Sequence, residues 1–184
     1  MASPRTLLRI VSSVETAPAQ PEELTDTELF VRYSPHIARI GLRLLGRNAE
    51  VDDLVQEVFF AAFKQRHQLR DMNTVKGWLS VIAVRTARQF LRRRRLRQFV
   101  GLDTGTPPIE LRDQTLSPDQ RALFTRVYQV LDHMNVECRL AWTLRYIEGE
   151  KLEAIAERLG CSLATAKRRI AAAHTQLLSE LNHG

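Results

Sequence analysis

Apolar residues recur along this chain at helical intervals, and polar clusters cut the pattern into segments. Leu29, Tyr33, Ile37, Ile40 and Leu44 follow one another in steps of three and four, the spacing that lines one face of an α-helix. Thr25 and Glu28 precede them at the spacing of a capping box, so a first helix is predicted from residue 25 to about 46, interrupted softly by Pro35 and Gly41. Val51, Leu54, Val55, Val58, Phe59, Ala62 and Phe63 mark a second helix, whose opposite face carries Asp52, Asp53, Gln56 and Glu57. Val75, Trp78, Leu79, Ile82, Thr86 and Phe90 place a third helix over 74–97, and three such helices can share one core. Trp78 is expected to pack, because Leu79 and Ile82 lie on its face.

The pattern lapses twice. Residues 1–24 show no sustained period and read as a flexible extension, and 99–117, with Gly101, Gly105, Pro107 and Pro108, have linker composition. Helix formation resumes at Ser117-Pro118-Asp119-Gln120, which combines an N-cap, a proline at the first helical position and a glutamine three residues after the cap. Asn135 opens a further helix that Gly149 can stop, and helices over 151–159 and 163–181 flank the turn 160–162. The expected organisation is an extension (1–24), a three-helix domain (25–98), a flexible linker (99–117) and a four-helix domain (118–184).

Composition supports an all-α fold: the chain is 44% apolar but only 7% aromatic, with few glycines and prolines. Cys138 and Cys161 cannot build a disulfide framework, and no Cys/His cluster has zinc spacing, so no metal is expected. No apolar run approaches the ~20 residues of a spanning helix, and residues 1–20 lack the apolar core of a signal peptide. A cytoplasmic protein without membrane insertion is therefore expected. The five histidines are scattered and no glycine-rich phosphate loop occurs, so neither catalytic residues nor a cofactor are expected, and a nucleic-acid enzyme finds no support.

Charge sharpens the picture. The formal net charge is +6, but 72–102 hold eight basic residues and no acid, so that segment is +8 and the rest of the chain sums to −2. A basic stripe of this kind is the footprint of a phosphate-binding surface, against which stand a solvated helix face and a membrane-surface contact. The last two predicted helices add a more specific signal. Ile155 and Leu159 anchor the first, Ala156 allows a close crossing, Gly160 occupies the turn, and Ala166 and Ile170 anchor the second. These are the requirements of a helix-turn-helix. Ser162 can cap its second helix, whose outward positions Thr165, Lys167, Arg168 and Arg169 suit base edges or phosphates. The competing reading is an ordinary helical hairpin with a basic outer face.

Taken in order, these segments resemble the extracytoplasmic-function (ECF) sigma factors, the small bacterial subunits that give RNA polymerase promoter specificity. Asp53-Leu54-Val55-Gln56-Glu57-Val58-Phe59 is similar to the family's core-binding signature, and Gly77-Trp78-Leu79 with Ile82-Ala83 to its melting region. Leu91-Arg92-Arg93 closes the first domain as the family does. Glu137-Cys138-Arg139, then Leu144 through Gly149 and Ile155 through Gly160, are similar to its second DNA-binding region. The resemblance covers about 27–181. It implies sigma region 2 in the first domain and sigma region 4 in the second.

The resemblance also implies roles. Asp52, Asp53, Leu54, Gln56, Glu57 and Phe59 would bind the clamp helices of the polymerase's largest subunit, although acids in a first helical turn also stabilise the helix dipole. Arg66, His67, Gln68, Arg70, Asn73, Lys76, Arg85, Arg88, Arg92 and Arg93 would hold and melt the -10 element, and Ser162, Thr165, Lys167, Arg168 and Arg169 would read the -35 element. For Arg92 and Arg93 a solvated run is the competing reading. Partners implied are core RNA polymerase, promoter DNA and an anti-sigma factor. Arg85 and Gln89 replace the family's common Asn and Asp, Ala171, Ala172 and Ala173 fill positions where the family often has an aromatic or basic residue at one or both of the first two, and His174 replaces a frequent arginine. Base preference therefore does not transfer. The rival regulator class, a response regulator with a similar helix-turn-helix, needs a receiver domain, and no strand–helix alternation is present.

Overall fold

The computed structural model describes residues 24–69, 71–102 and 117–182. The expected extension (1–23 of it), most of the linker (103–116) and Arg70 lie outside the described residues. Among the described residues are seven α-helices: α1 (Asp26–Leu45), α2 (Val51–Lys64), α3 (Val75–Phe99), α4 (Pro118–His133), α5 (Val136–Tyr146), α6 (Leu152–Leu159) and α7 (Leu163–Asn182). Short 3-10 turns stand at Asn48–Glu50, Arg66–Gln68 and Met72–Thr74, and no strand occurs among the described residues.

The start signals act as the sequence predicts. Thr25 Oγ1 accepts from the Glu28 amide at 3.2 Å while the Glu28 carboxylate accepts from the Thr25 amide at 2.7 Å. Ser117 and Gln120 reciprocate in the same way at 3.2 and 2.9 Å, and Asn135 Oδ1 accepts from the Glu137 amide at 2.9 Å. Each cap supplies partners for amides that the first helical turn leaves without one.

Two cores form, and they do not divide as the sequence suggests. One is α4, α5 and α7, closing on Tyr128, Leu131, Met134, Ala173 and Leu177. The other joins α1–α3 to the second half of the chain: Leu44, Leu54, Leu79, Ala87 and Leu91 share a cluster with Leu140, Leu144, Ile155, Leu159 and Ile170. Helix α3 packs on α5 and α6, and α1 packs on α5. Trp78 packs against this cluster, as expected of a core residue.

The joint between the halves is polar at its centre. Arg139 is 2% exposed and donates to the carbonyl oxygens of Leu44 at 3.1 Å and Leu45 at 2.7 Å. Arg94, also 2% exposed, donates to the Leu45 carbonyl at 3.0 Å. Two guanidinium groups thereby fill the negative end of α1, where carbonyls lack helical partners. Their charge is met by Asp132, which pairs with Arg139, with Arg94 at 3.0 Å and with Arg47 at 3.0 Å, and by Glu50, which pairs with Arg94. Arg94 thus belongs to the interior and not to the basic stripe in which the sequence places it.

Gly46 ends α1 with φ 63° and receives the ring of Tyr128, whose hydroxyl donates to the Arg43 carbonyl at 2.7 Å. A Cβ on Gly46 would stand 2.2 Å from the Tyr128 ring, so this glycine serves the joint as well as the turn. Burial pushes the Tyr128 phenol far above its ordinary value, which keeps it a neutral donor.

Candidate nucleic-acid interface

Helix α2 presents Asp52, Asp53 and Gln56 to solvent, with Glu57 partly covered. Leu54 is 0% and Phe59 2% exposed. These two residues, grouped with the polymerase contact by resemblance, are core residues, because they fall on the apolar stripe that α2 turns to α1 and α3. Across from the acidic face, Arg93 pairs with Glu57 at 3.4 Å and lies over the Phe90 ring, and Arg97 reaches Glu50 at 3.5 Å. A cleft of about 380 Å³ runs between them.

The loop after α2 and the start of α3 hold most of the residues assigned to the -10 element. Arg66 is engaged by the Asp26 carboxylate and the Leu24 carbonyl, so it fastens the loop to the start of α1. His67 and Asn73 are exposed, and nothing is described of the Gln68 side chain or of Arg70. Asn73 and Lys76 line a cleft of about 690 Å³ together with Arg32, Tyr33, His36 and Arg39 of α1. Sequence reasoning missed these α1 residues, although Arg32, His36 and Arg39 recur at the helical steps of four and three that put them on one face. Arg85 lies elsewhere, in a groove of about 510 Å³ with Phe60, Gln65 and Gln89.

His36 shows how this cleft is wired. Ser80 Oγ donates to the Lys76 carbonyl at 2.7 Å and therefore accepts from His36 Nε2 at 3.2 Å. Nδ1 is then the acceptor for Arg39 Nη2, at 3.2 Å. Burial, then the charges of Lys76, Arg39 and Arg158, hold the imidazole below its ordinary value. A histidine held low favours the folded state above its unfolded pKa and withdraws that contribution as pH falls below about 6.5. The urea midpoint is expected to drop between pH 7 and pH 5, and less so in His36→Gln. An equal drop in both proteins would contradict this assignment.

In the helix-turn-helix, Gly160 takes φ 60° and the Cys161 amide donates back to the Ala156 carbonyl at 2.9 Å, the closure that lets α7 leave α6 abruptly. Ser162 Oγ accepts from the Thr165 amide at 3.2 Å. Ser162, Lys167 and Arg168 are exposed, with Thr165 partly so. Arg169 is turned toward α5, where it meets Glu137 at 3.4 Å. The same carboxylate meets Arg88 at 3.2 Å and Arg92 at 2.8 Å, and Arg88 also donates to the Leu159 carbonyl at 3.0 Å. Residues assigned to two distant promoter elements thus converge on one acid.

No group of three or more Asp, Glu, His or Cys side chains that could hold a metal occurs among the described residues. Nor is any of their helices long and apolar enough to cross a membrane.

Comparison with known proteins bears on both halves. The model of sigma-70 region 2 matches residues 29–97, and that of sigma-70 region 4 matches 124–177. The ECF RNA polymerase sigma-E factor of Haemophilus influenzae is 30% identical over 155 residues, covering 77% of this chain and 79% of that protein. The ECF sigma factor SigX of Bacillus subtilis is 27% identical over 163 residues, covering 83% and 84%. Among solved structures, the sigma factor RpoE of Bartonella quintana, in complex with the anti-sigma factor NepR, matches with a TM-score of 0.64 at 20% identity, covering 85% of this chain and 96% of that one. CnrH, in complex with the cytosolic domain of CnrY, matches with a TM-score of 0.55 at 21% identity, covering 86% and 88%. Two region models in the right order, and a relative at this identity along most of its length, place the chain in the sigma-70 family, among the ECF sigma factors of RNA polymerase.

Proposed function

We propose that this protein docks on core RNA polymerase through the outward face of α2 and directs it to promoters whose -10 and -35 elements are read by separate halves of the chain. The observation that carries the reading is the pairing of region 2 and region 4 matches with two chemically opposite surfaces. One is the acidic, amide-bearing face of Asp52, Asp53, Gln56 and Glu57; the other comprises the basic positions on α3 and α7. Acids and amides suit a basic helical partner, whereas Lys167 and Arg168 suit phosphates and guanine edges.

The division of labour follows the described helices, with residues 25–98 acting on the -10 element, 118–184 on the -35 element and 99–117 as the connection. Opening a duplex without ATP needs a site that captures an unstacked base and a basic surface that holds the freed strand. The α1–α3 cleft fits that need: Asn73 offers an amide, Tyr33 a ring, and Arg32, Arg39 and Lys76 positive charge. The protein itself performs no catalysis in this scheme, works in the cytoplasm and is restrained by an anti-sigma partner. That last point is supported by the complex of RpoE with the anti-sigma factor NepR among its structural neighbours.

Run-off transcription with core polymerase on pooled genomic promoter fragments tests the reading. Transcripts that depend on the protein and share upstream elements are expected, and Arg168→Ala is expected to reduce them about tenfold, as loss of one specific contact worth 1–3 kcal/mol does. Binding to naked operator DNA without any core association would instead identify a stand-alone regulator.

A further inference from the structure

We infer that Glu137 is an internal phosphate mimic that closes the two DNA-contacting halves on each other and holds the free protein in a form unable to engage a promoter. The inference rests on the proposed DNA roles of Arg88, Arg92 and Arg169. All three meet the Glu137 carboxylate, two from α3 and one from α7, at 2.8–3.4 Å. A carboxylate that gathers several arginines offers what a DNA phosphate offers: a compact anion with oxygens that accept from guanidinium groups.

Geometry makes the two states exclusive. Elements at -35 and -10 are about 25 base pairs apart, roughly 85 Å of B-DNA at about 3.4 Å per pair. Side chains that touch one carboxylate cannot reach both, so α3 and α7 must part before promoter DNA spans them. The surrounding charges suit such a parting. Arg94 keeps Glu50 on its own side and Arg139 keeps Asp132 on the other, so neither buried arginine loses every counter-charge when the halves separate. Glu137 likewise keeps Arg169 on its own side, but its other two partners, Arg88 and Arg92, sit across the joint. Once the halves part, Arg88 and Arg92 are released toward phosphate.

Binding of the full chain to a mixed-sequence DNA duplex, followed as potassium chloride is raised, tests this. Each phosphate neutralised steepens the dependence of log affinity on log salt by about 0.9. E137Q is expected to bind about tenfold tighter at low salt, with a slope steeper by roughly two to three for the arginines set free. Glu153→Gln, an exposed acid on α6 with the same charge change, is expected to match the parent slope. Helical ellipticity of each variant verifies folding. Removing Arg88, Arg92 and Arg169 from E137Q should restore the parent slope. Should E137Q behave like the parent while loss of the three arginines weakens binding in both, the mimic is refuted and the DNA roles stand. Should loss of the arginines change nothing in either background, the DNA roles fall and the mimic with them.

Discussion

Gln56→Arg combined with Glu57→Arg is expected to abolish promoter-directed transcription while leaving the protein folded. Both residues lie on the outer face of α2, Gln56 exposed and Glu57 partly covered. Setting two positive charges against a basic partner surface costs several kcal/mol, and about 3 kcal/mol is already some hundredfold in affinity for core polymerase. The stability cost is small by comparison. The one ion pair lost, Glu57 to Arg93 at 3.4 Å, is half-exposed on both sides, and pairs of that kind contribute at most about 1 kcal/mol.

The measurements that belong together are core-polymerase affinity, urea midpoint and duplex binding, of which only the first should collapse. Unchanged core affinity would remove α2 as the docking face. Asp52 and Asp53 provide a graded comparison, since both lie in the first turn of α2 and also stabilise its positive end by about 0.3–1 kcal/mol each. Their amides should therefore cost some stability and less core affinity than the double substitution.

Asp132→Ala is expected to produce the largest loss of stability. This carboxylate meets Arg47, Arg94 and Arg139, and the last two are 2% exposed. Removing one partner of a buried ionic cluster costs about 3–5 kcal/mol, because the remaining charges stay desolvated. Arg139 then retains only the carbonyls of Leu44 and Leu45, while Arg94 keeps Glu50. The cheapest escape is for the halves to separate and let water reach Arg139. A single cooperative urea transition should accordingly split into two, or shift strongly to lower denaturant.

Acid should reproduce the effect in the parent protein. Burial alone would raise the Asp132 carboxyl, but Arg139, Arg94 and the bond from Arg47 outweigh it and hold the group below its ordinary value. A carboxyl held low stabilises the fold above its unfolded pKa, and that stability drains away as pH falls below about 4. A midpoint insensitive to both the substitution and acid would show that the joint does not depend on this cluster.

Much of the protein is legible in its pattern. Caps at Thr25, Ser117 and Asn135, the helix stop at Gly46 and the small-residue turn at Gly160 act through neighbours in the chain, and local signals of this kind mark element ends directly. The helix-turn-helix is legible for the same reason. The α1 side of the basic cleft was available too, in the spacing of Arg32, His36 and Arg39, but a polar helical face reads equally well as a solvated one until Asn73 and Lys76 are seen opposite.

Local signals set the helices, their order and the family, because each depends on residues a few positions apart or on motifs in series. Which arginines of the 72–102 stripe are surface and which are interior follows from how the helices pack. Arg92 and Arg94 are two residues apart, yet one stays exposed and the other is buried against the end of α1. Likewise, nothing local distinguishes Asp132 or Glu137 from any helix-surface acid; their partners across the joint lie 38 to 85 positions away in sequence. Charge pairing across that separation depends on how two apolar faces happen to meet, and a helical period specifies a face without specifying what covers it.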